Sequence, residues 1–303
     1  MRPREGYVQA GELRLHYLEW GDPGGPPALL LHGLCASAHY WDLFAPRLAG
    51  ARRVIALDQR GHGESDWAES YGPRQYVADL EAVVDSLGLE DLLLVGHSLG
   101  GINALLLAAR RPDRVSRLVV VDIGPEIDRE GVERMVWEMA SEPEGFASEE
   151  EAARRIRELQ PRYSEDFIAR QIAHLLRRDE QGRFVWRSDP ALRRTPIRSP
   201  EYLWEHLGEV LCPALIVRGA ESDVLSPETA ARMAERGRYA SAVAAAGEAA
   251  KQSLLLYGLT SPERLHEFRG MWIHDAYGVP GGWGWQRSIR ELKDHGFNAI
   301  IAN

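Results

Sequence analysis

The pentapeptide Gly-His-Ser-Leu-Gly at residues 96–100 constrains the fold of this chain more than any other feature. The apolar residues 92–95 precede it, and a helical pattern at residues 102–109 follows it. A Gly-x-Ser-x-Gly turn passes so sharply from strand to helix that a side chain at either glycine would collide with its neighbours. The pattern therefore predicts a strained Ser98 that projects above a sheet, where its hydroxyl can attack a carbonyl group. The alternative is an ordinary helix cap at Ser98, which would need neither glycine.

Two other apolar runs also end in turns. Residues 28–31 have the length and apolarity of a strand buried on both faces, and residues 32–37 follow, where backbone N–H groups can turn inward. Residues 54–57 are followed by residues 58–65, in which two glycines permit a compact turn of polar side chains. A solvated loop is the alternative interpretation of this second turn.

The order and spacing of the three turns, at residues 32–37, 58–65 and 96–101, resemble the α/β-hydrolase superfamily. The resemblance extends over about residues 7–237. It implies an α/β-hydrolase fold, in which a mainly parallel sheet has helices on both faces. The alternation of strand and helix patterns along the chain independently favours such a sheet, with ligands at the carboxyl ends of its strands.

The pattern changes to charged, amphipathic helices after residue 125. These helices resemble the helical cap that the superfamily inserts after its sixth strand, although an ordinary helical layer is an alternative. We therefore expect an α/β-hydrolase core at residues 1–125 and 209–238 and a cap at residues 126–208. Residues 239–303 form an atypical C-terminal segment in this scheme.

The resemblance implies a serine hydrolase with Ser98 as nucleophile and an oxyanion hole made by the backbone N–H groups of Leu34 and Leu99. Asp223 follows the strand pattern where the superfamily usually carries its triad acid, and its carboxylate would orient an imidazole. Asp122 and Glu221 are alternative acids. Asp223 could also serve only as a helix cap.

The triad histidine is not in its usual context. Residues 239–250 are rich in alanine and contain no histidine, so the candidates are His266, His274 and His295. His274 follows a strand pattern at residues 268–273 and precedes a helix pattern, which reproduces the expected order of strand, catalytic loop and helix. We therefore predict His274 as the general base. His266 falls inside a predicted helix and His295 at a helix end.

Carboxylic ester hydrolysis through an acyl-enzyme intermediate is the reaction that the resemblance most often implies. A serine at position 98, rather than an aspartate, disfavours epoxide hydrolases and haloalkane dehalogenases. The alternative is an inactive fold without its histidine, either a binding protein or a fusion product. Residues 268–303 support that alternative, because they resemble the first strand-helix-strand unit of a glycosidase-like TIM barrel. One such unit cannot close a barrel.

Composition limits the possible partners. The net charge of −9 and pI near 5.6 disfavour nucleic acid, since phosphate binding requires a basic face. Two cysteines provide no disulfide framework, and no apolar run is long enough to span a bilayer. We therefore expect a cytoplasmic protein with no membrane partner, which acts on a small ester-like molecule. No cofactor or metal is implied, because no pair of histidines has ligand spacing with a third ligand nearby.

Overall fold

The computed structural model describes residues 1–161, 163–219, 221–236 and 239–244. The strands in these residues are β1 (Arg4–Ala10), β2 (Leu13–Trp20), β3 (Pro27–Leu31), β4 (Arg53–Leu57), β5 (Leu92–His97), β6 (Val115–Val121), β7 (Gly145–Phe146), β8 (Leu176–Arg178), β9 (Phe184–Trp186), β10 (Ala214–Gly219) and β11 (Tyr239–Ala244).

The α-helices in the same residues are α1 (Ala45–Leu48), α2 (Pro73–Ser86), α3 (Leu99–Arg110), α4 (Arg129–Ser141), α5 (Glu149–Leu159), α6 (Glu165–Leu175), α7 (Pro190–Arg193), α8 (Leu203–His206) and α9 (Pro227–Ala234). Short 3-10 helices occur at Ala38–Trp41 and Leu207–Glu209. Over the described ranges, no helix combines the length and the apolar character that crossing a membrane would require.

Eight strands form one sheet in the order β1-β2-β4-β3-β5-β6-β10-β11. The pairs β1/β2 and β2/β4 are antiparallel, and every neighbouring pair from β4 to β11 is parallel. The mainly parallel sheet expected from the sequence is therefore confirmed. The carboxyl ends of the parallel strands meet at one edge, which is where ligands bind in sheets of this kind.

Burial on both faces explains why the central strands are continuous apolar runs. In β3, Leu29 and Leu31 belong to one buried cluster, which includes side chains of α2, α3 and α9. Ala28 and Leu30 belong to a second cluster on the other face, with Trp41 and other side chains that follow β3 in the chain. Since successive side chains of a strand point to opposite faces, both sets must be apolar.

Two strands of the eight-stranded sheet were not predicted from the sequence. The edge strand β1 is charged at its start, and only Val8 and Ala10 are buried in it. The strand β11 lies in the alanine-rich run and pairs with β10 from Ala214/Tyr239 to Gly219/Ala244. The sheet therefore extends into residues 239–303, which the sequence set apart from the core. The predicted strand at residues 268–273 and the barrel-like resemblance at residues 268–303 lie outside the described residues.

Residues 126–208 lie between β6 and β10 and are called the inserted segment below. It contains α4 to α8 and a small antiparallel sheet in the order β7-β9-β8. Side chains of α5, α6 and this sheet share an apolar cluster of their own, which includes Phe146, Ile168 and Phe184. The segment thus has a small core separate from the two clusters of the main sheet.

Polar contacts join the inserted segment to the turn after β4. The Tyr71 hydroxyl donates to the Asp189 carboxylate, and the Arg187 guanidinium donates to the Glu64 carboxylate. Because this turn lies at the carboxyl end of β4, the inserted segment stands beside the edge of the sheet where the strands end.

Helix α3 begins in close contact with the backbone of two strands. A Cβ atom at Gly100 would lie 2.4 Å from the carbonyl oxygen of Leu31 at the end of β3. A Cβ atom at Gly96 would lie 2.1 Å from the carbonyl oxygen of Gly100. Real Cβ atoms do not approach other atoms so closely, and backbone cannot move aside as a flexible side chain can. The two glycines are therefore required by the turn between β5 and α3.

We expect Gly100→Ala to lower the free energy of unfolding by about 2–4 kcal/mol, because the new methyl group must displace the end of β3. Gly208→Ala is the matched control, since a Cβ atom there would have nothing within 4 Å, and its effect should stay within about 0.5 kcal/mol. Urea denaturation followed by circular dichroism measures both. Equal stability of the two variants would contradict this account of the turn.

Candidate active site

Ser98 occupies the turn between β5 and α3. Its φ of 51° and ψ of −119° lie in a region that residues with a side chain rarely adopt, and such strain costs on the order of 1–3 kcal/mol. The backbone N–H of Ser98 donates to the carbonyl of Val121 at 3.0 Å, which ties the turn to the end of β6. A Cβ atom at Gly33 would lie 3.4 Å from the Cβ of Ser98, so the turn after β3 directly adjoins the serine.

The two amides predicted for an oxyanion hole belong to the residue after Ser98 and to the turn beside it. Leu99 is the first residue of α3, where N–H groups have no partner inside the helix. Leu34 follows Gly33 in the turn beside Ser98. Among the described residues, neither the Leu34 N–H nor the Leu99 N–H donates to a protein acceptor. Both amides are therefore available to a developing negative charge next to Ser98.

His62 holds the turn that carries Leu34. The Cys35 N–H donates to His62 Nε2 at 3.0 Å, and His62 Nδ1 lies 2.8 Å from the carbonyl of Arg60. These partners assign the ring hydrogen to Nδ1, because only a deprotonated Nε2 can accept from an amide. Burial, followed by the nearby charge of His32, lowers the pKa of His62 to about 3. The ring is therefore neutral at physiological pH and acts as a fixed acceptor.

A second buried network joins the turns after β3 and β4 to α3. His32 Nδ1 lies 2.8 Å from the carbonyl of Gly33, and His32 Nε2 accepts from the Gln59 N–H at 3.1 Å. The Gln59 side chain donates to the His32 carbonyl at 2.8 Å and accepts from the Asn103 amide at 2.7 Å. Burial lowers the pKa of His32. Both ring nitrogens are occupied by backbone groups, so His32 orders the site and is not free to move protons.

Asp58 is the anchor of the turn after β4. Its carboxylate accepts from the Ala38 N–H at 2.6 Å, the Glu64 N–H at 3.0 Å and His16 Nδ1 at 2.8 Å. Burial alone would raise the pKa of Asp58, but the bond from His16, the charge of His32 and the Ala38 amide together hold it below its usual value. Asp58, Gln59, Arg60, His62 and Ser65 are all buried. The solvated-loop interpretation of residues 58–65 is therefore wrong.

Asp223, the predicted triad acid, forms a two-point ion pair with the inserted segment. Arg134 in α4 donates from Nε to Asp223 Oδ2 at 2.5 Å and from Nη2 to Asp223 Oδ1 at 2.9 Å. These hydrogen bonds hold the pKa of Asp223 below its usual value. Helix α4 also packs directly on the loop of Asp223, because a Cβ atom at Gly131 would lie 2.0 Å from the Asp223 carbonyl oxygen.

Asp122, an alternative acid, is positioned differently. It is buried at the end of β6 with a φ of 56°, and its Oδ1 accepts from the Gly219 N–H at 2.9 Å. This bond joins the ends of β6 and β10. The charge of Asp122 raises the pKa of Asp223, so the two carboxylates are electrostatically coupled. Asp122 thus joins two strand ends, whereas Asp223 joins its loop to the inserted segment.

The structure brings Ser98, Leu34 and Leu99 together and places Asp223 at the same edge of the sheet, after β10. His274, the predicted general base, lies outside the described residues, as do His266 and His295. Sequence reasoning missed Arg134 as a partner of the acid, since nothing in the pattern of α4 distinguishes this arginine from the other charged residues of the helix.

A family model for the alpha/beta hydrolase fold matches residues 26–242 of this chain. That range includes Ser98, Asp223 and all the strands from β3 to β10. The chain belongs to the alpha/beta hydrolase family. The order of the sheet and the turn at Ser98 therefore have a common origin with those of known hydrolases, whereas His274 lies beyond the matched range.

Similar proteins include hydrolases from several bacteria. The chain is 33% identical over 264 residues to the 3-hydroxybutyrate-oligomer hydrolase of Cupriavidus necator, and this match covers 80% of this chain and 89% of that enzyme. It is 30% identical over 244 residues to an esterase of Mycobacterium tuberculosis, and this match covers 77% of this chain and 78% of the esterase. The crystal structure of an alpha/beta hydrolase from Novosphingobium aromaticivorans has a TM-score of 0.69 at 32% identity, and the match covers 80% of this chain and 90% of that one. The protein is thus a hydrolase of this family.

The buried His62 predicts a pH dependence of stability. Since the pKa of His62 in the folded hydrolase is about 3, below its usual value of 6.5, the unfolded chain binds a proton there between these pH values that the folded chain does not. The free energy of unfolding therefore decreases as the pH falls from 6.5 toward 3, by up to about 1.4 kcal/mol per pH unit. Above pH 6.5 both states are neutral at His62, and this loss is absent.

His62→Gln isolates this effect, because glutamine keeps an acceptor for the Cys35 N–H but does not titrate. We expect the wild-type advantage in unfolding free energy over the variant to shrink from pH 7.5 to pH 5, as measured by urea denaturation at each pH. Other groups that titrate in this range are common to both proteins. A difference that stays constant with pH would show that His62 is not held neutral by the fold.

Proposed function

We propose that this hydrolase cleaves carboxylic esters through an acyl-enzyme intermediate on Ser98. The observation that carries the proposal is the strained Ser98, flanked by the available N–H groups of Leu34 and Leu99. A nucleophile beside two preorganised donors suits attack on a carbonyl whose oxygen becomes negatively charged. The similarity to an esterase and to a 3-hydroxybutyrate-oligomer hydrolase supports the same reaction class.

The proposed reaction has two halves. Ser98 Oγ attacks the ester carbonyl carbon while His274 takes the hydroxyl proton, and the Leu34 and Leu99 amides stabilise the oxyanion. The intermediate then collapses, the bond to the alcohol oxygen breaks, and His274 returns the proton to the leaving alcohol. In the second half, His274 activates a water molecule that attacks the acyl carbon, releases the carboxylic acid and regenerates Ser98.

Asp223 is proposed as the acid that orients His274. Its hydrogen bonds from Arg134 keep the carboxylate ionised, which is the form that stabilises an imidazolium. A carboxylate has about four lone-pair positions, so two bonds to a guanidinium leave positions for an imidazole N–H. Arg134 and His274 can therefore share the same carboxylate.

The substrate class follows from the same similarity. The name of the relative from Cupriavidus necator specifies oligomers of 3-hydroxybutyrate, in which each unit is joined to the next by an ester bond. We propose short acyl esters as substrates and take p-nitrophenyl butyrate and the 3-hydroxybutyrate dimer as the first two to assay.

Covalent labelling tests the nucleophile and the base. We expect a fluorophosphonate probe to add once per chain to the wild type and not to Ser98→Ala, as measured by intact mass. His274→Ala should lower kcat on p-nitrophenyl butyrate by about a thousandfold or more, because the serine then has no base. His266→Ala and His295→Ala are matched controls in the same part of the chain and should retain most of the activity.

The outcomes separate two functions. A folded wild type that neither reacts with the probe nor hydrolyses either ester would be the inactive fold, in which the serine turn persists without a base. Labelling that persists in His274→Ala would support the proposed serine hydrolase but would show that His274 is not its general base.

A comparison of two acids tests the assignment of Asp223. We expect Asp223→Asn to lower kcat by about a thousandfold to ten-thousandfold with little change in KM, because a neutral amide cannot stabilise the imidazolium. Asp122→Asn should have a much smaller effect on kcat, since the asparagine oxygen can still accept from the Gly219 N–H. Steady-state kinetics on p-nitrophenyl butyrate measures both variants. The reverse ranking would assign the triad acid to Asp122.

A further inference from the structure

A cluster of three potential metal ligands contains none of the residues proposed for ester hydrolysis. His39 belongs to the 3-10 helix Ala38–Trp41 in the core, and Asp42 follows that helix directly. His174 lies near the end of α6 in the inserted segment. His39 and His174 are 135 positions apart in the sequence, so their spacing gave no sign of a shared site. The fold alone brings the three side chains together.

The separations of the ligand atoms match a small coordination sphere. Asp42 Oδ2 lies 3.0 Å from His39 Nδ1 and 4.0 Å from His174 Nε2, and one ligand atom from each residue lies within 4.8 Å of the others. A tetrahedral ion with bonds of about 2.0–2.2 Å holds its ligand atoms about 3.3–3.6 Å apart. The three atoms therefore lie near this spacing, but their side chains must move before they can coordinate one ion.

The donor set selects the class of ion. Two imidazole nitrogens and one carboxylate oxygen suit Zn²⁺ and the neighbouring transition metals, whereas Mg²⁺ and Ca²⁺ require mostly oxygen ligands. All three residues are partly accessible to solvent, so an ion can reach them and complete its coordination with water.

The present arrangement of the His39 and His174 rings shows which side-chain rotation must accompany metal binding. The His39 and His174 rings are stacked, with centroids 3.4 Å apart and planes 13° from parallel. Because the lone pair of an imidazole nitrogen lies in the plane of its ring, one ring must turn about its Cβ–Cγ bond for both lone pairs to meet at one ion. The His174 side chain is 34% exposed, which leaves it space to turn.

The charges around the cluster favour a divalent ion only modestly. Arg170 and Arg187 both contribute positive charge near His174. Arg187 is itself paired with Glu64, which offsets its charge. Asp42 supplies the one negative charge of the ligand set, so binding must rest on coordinate bonds to the two imidazoles rather than on long-range attraction.

We propose that His39, Asp42 and His174 bind one transition-metal ion of the Zn²⁺ type, and that the ion fastens α6 of the inserted segment to the core. The ion would connect two parts of the chain that otherwise meet here through a ring stack and a carboxylate. Its effect is to stabilise the position of the inserted segment over the sheet. None of its ligands takes part in the proposed ester hydrolysis, so the metal site does not depend on that reaction.

Calorimetric titration of the full chain with ZnCl₂ tests the site. The protein should carry no affinity tag and be dialysed against a chelator and then against buffer, because tags and residual metal would mask the signal. We expect one Zn²⁺ per chain, and His39→Ala and His174→Ala should each weaken binding at least about tenfold. His206→Ala is the matched control, because His206 forms a similar pair with Glu209 at 2.7 Å but no second histidine of the described residues completes a metal-ligand cluster there.

Thermal unfolding provides a second readout that also checks that each variant folds. Zn²⁺ should raise the Tm of the wild type and of His206→Ala, and it should leave the Tm of folded His174→Ala nearly unchanged. The proposal is overturned if the wild type binds no Zn²⁺ in the titration. It is overturned equally if folded His39→Ala and His174→Ala bind Zn²⁺ as tightly as the wild type, since the ion would then reside elsewhere.

Discussion

The contact between the start of α3 and the ends of β3 and β5 is the constraint on which the rest of this hydrolase depends. Only glycine at positions 96 and 100 lets the helix backbone approach the Leu31 carbonyl so closely. That approach forces Ser98 into its strained conformation and turns the first N–H groups of α3 toward the same point. The start of a helix also carries partial positive charge, which favours an oxyanion there. A single packing requirement therefore produces the strained Ser98, an available N–H group beside it and a favourable local field for a negative charge.

Buried polar groups then fix the neighbouring turns around that point. His62, His32 and Asp58 resemble a catalytic cluster in composition. Each of them, however, forms its hydrogen bonds with backbone groups or with a partner side chain. The pKa of His62, at about 3, shows the consequence, because a ring that cannot be protonated near neutral pH cannot serve as a general base. Loss of any one of these partners would leave a buried donor or acceptor without a bond, which costs about 1–3 kcal/mol. The polar residues of these turns are thus a scaffold that holds the Leu34 amide in place.

The sequence predicted those parts of the fold in which local pattern and tertiary environment agree. The strand at residues 13–20 and the helix at residues 149–159 coincide with β2 and α5, because alternation, apolar runs and capping residues are local signals. It did not predict β11, since alanine has little preference for strands and only pairing with β10 selects that conformation. It predicted the turn at Ser98 from its glycines but could not anticipate the contact of Arg134 with Asp223 or of His39 with His174. Those pairs join residues far apart in the chain, and no local rule encodes them.

The charge environment of Asp223, the proposed triad acid, depends on the position of the inserted segment. Arg134 reaches Asp223 from α4, and both side chains are about 40% exposed, so water and salt weaken the pair. The contacts that hold the segment over the turn after β4, through Arg187 and Asp189, are polar as well, and the exposed ion pair of Arg187 with Glu64 contributes about 1 kcal/mol or less. A shift of α4 away from the sheet removes the guanidinium from Asp223, raises the pKa of that carboxyl and exposes its oxygens. Any ligand that moves the inserted segment therefore also changes the charge environment of Asp223, even where the ligand makes no contact with Asp223.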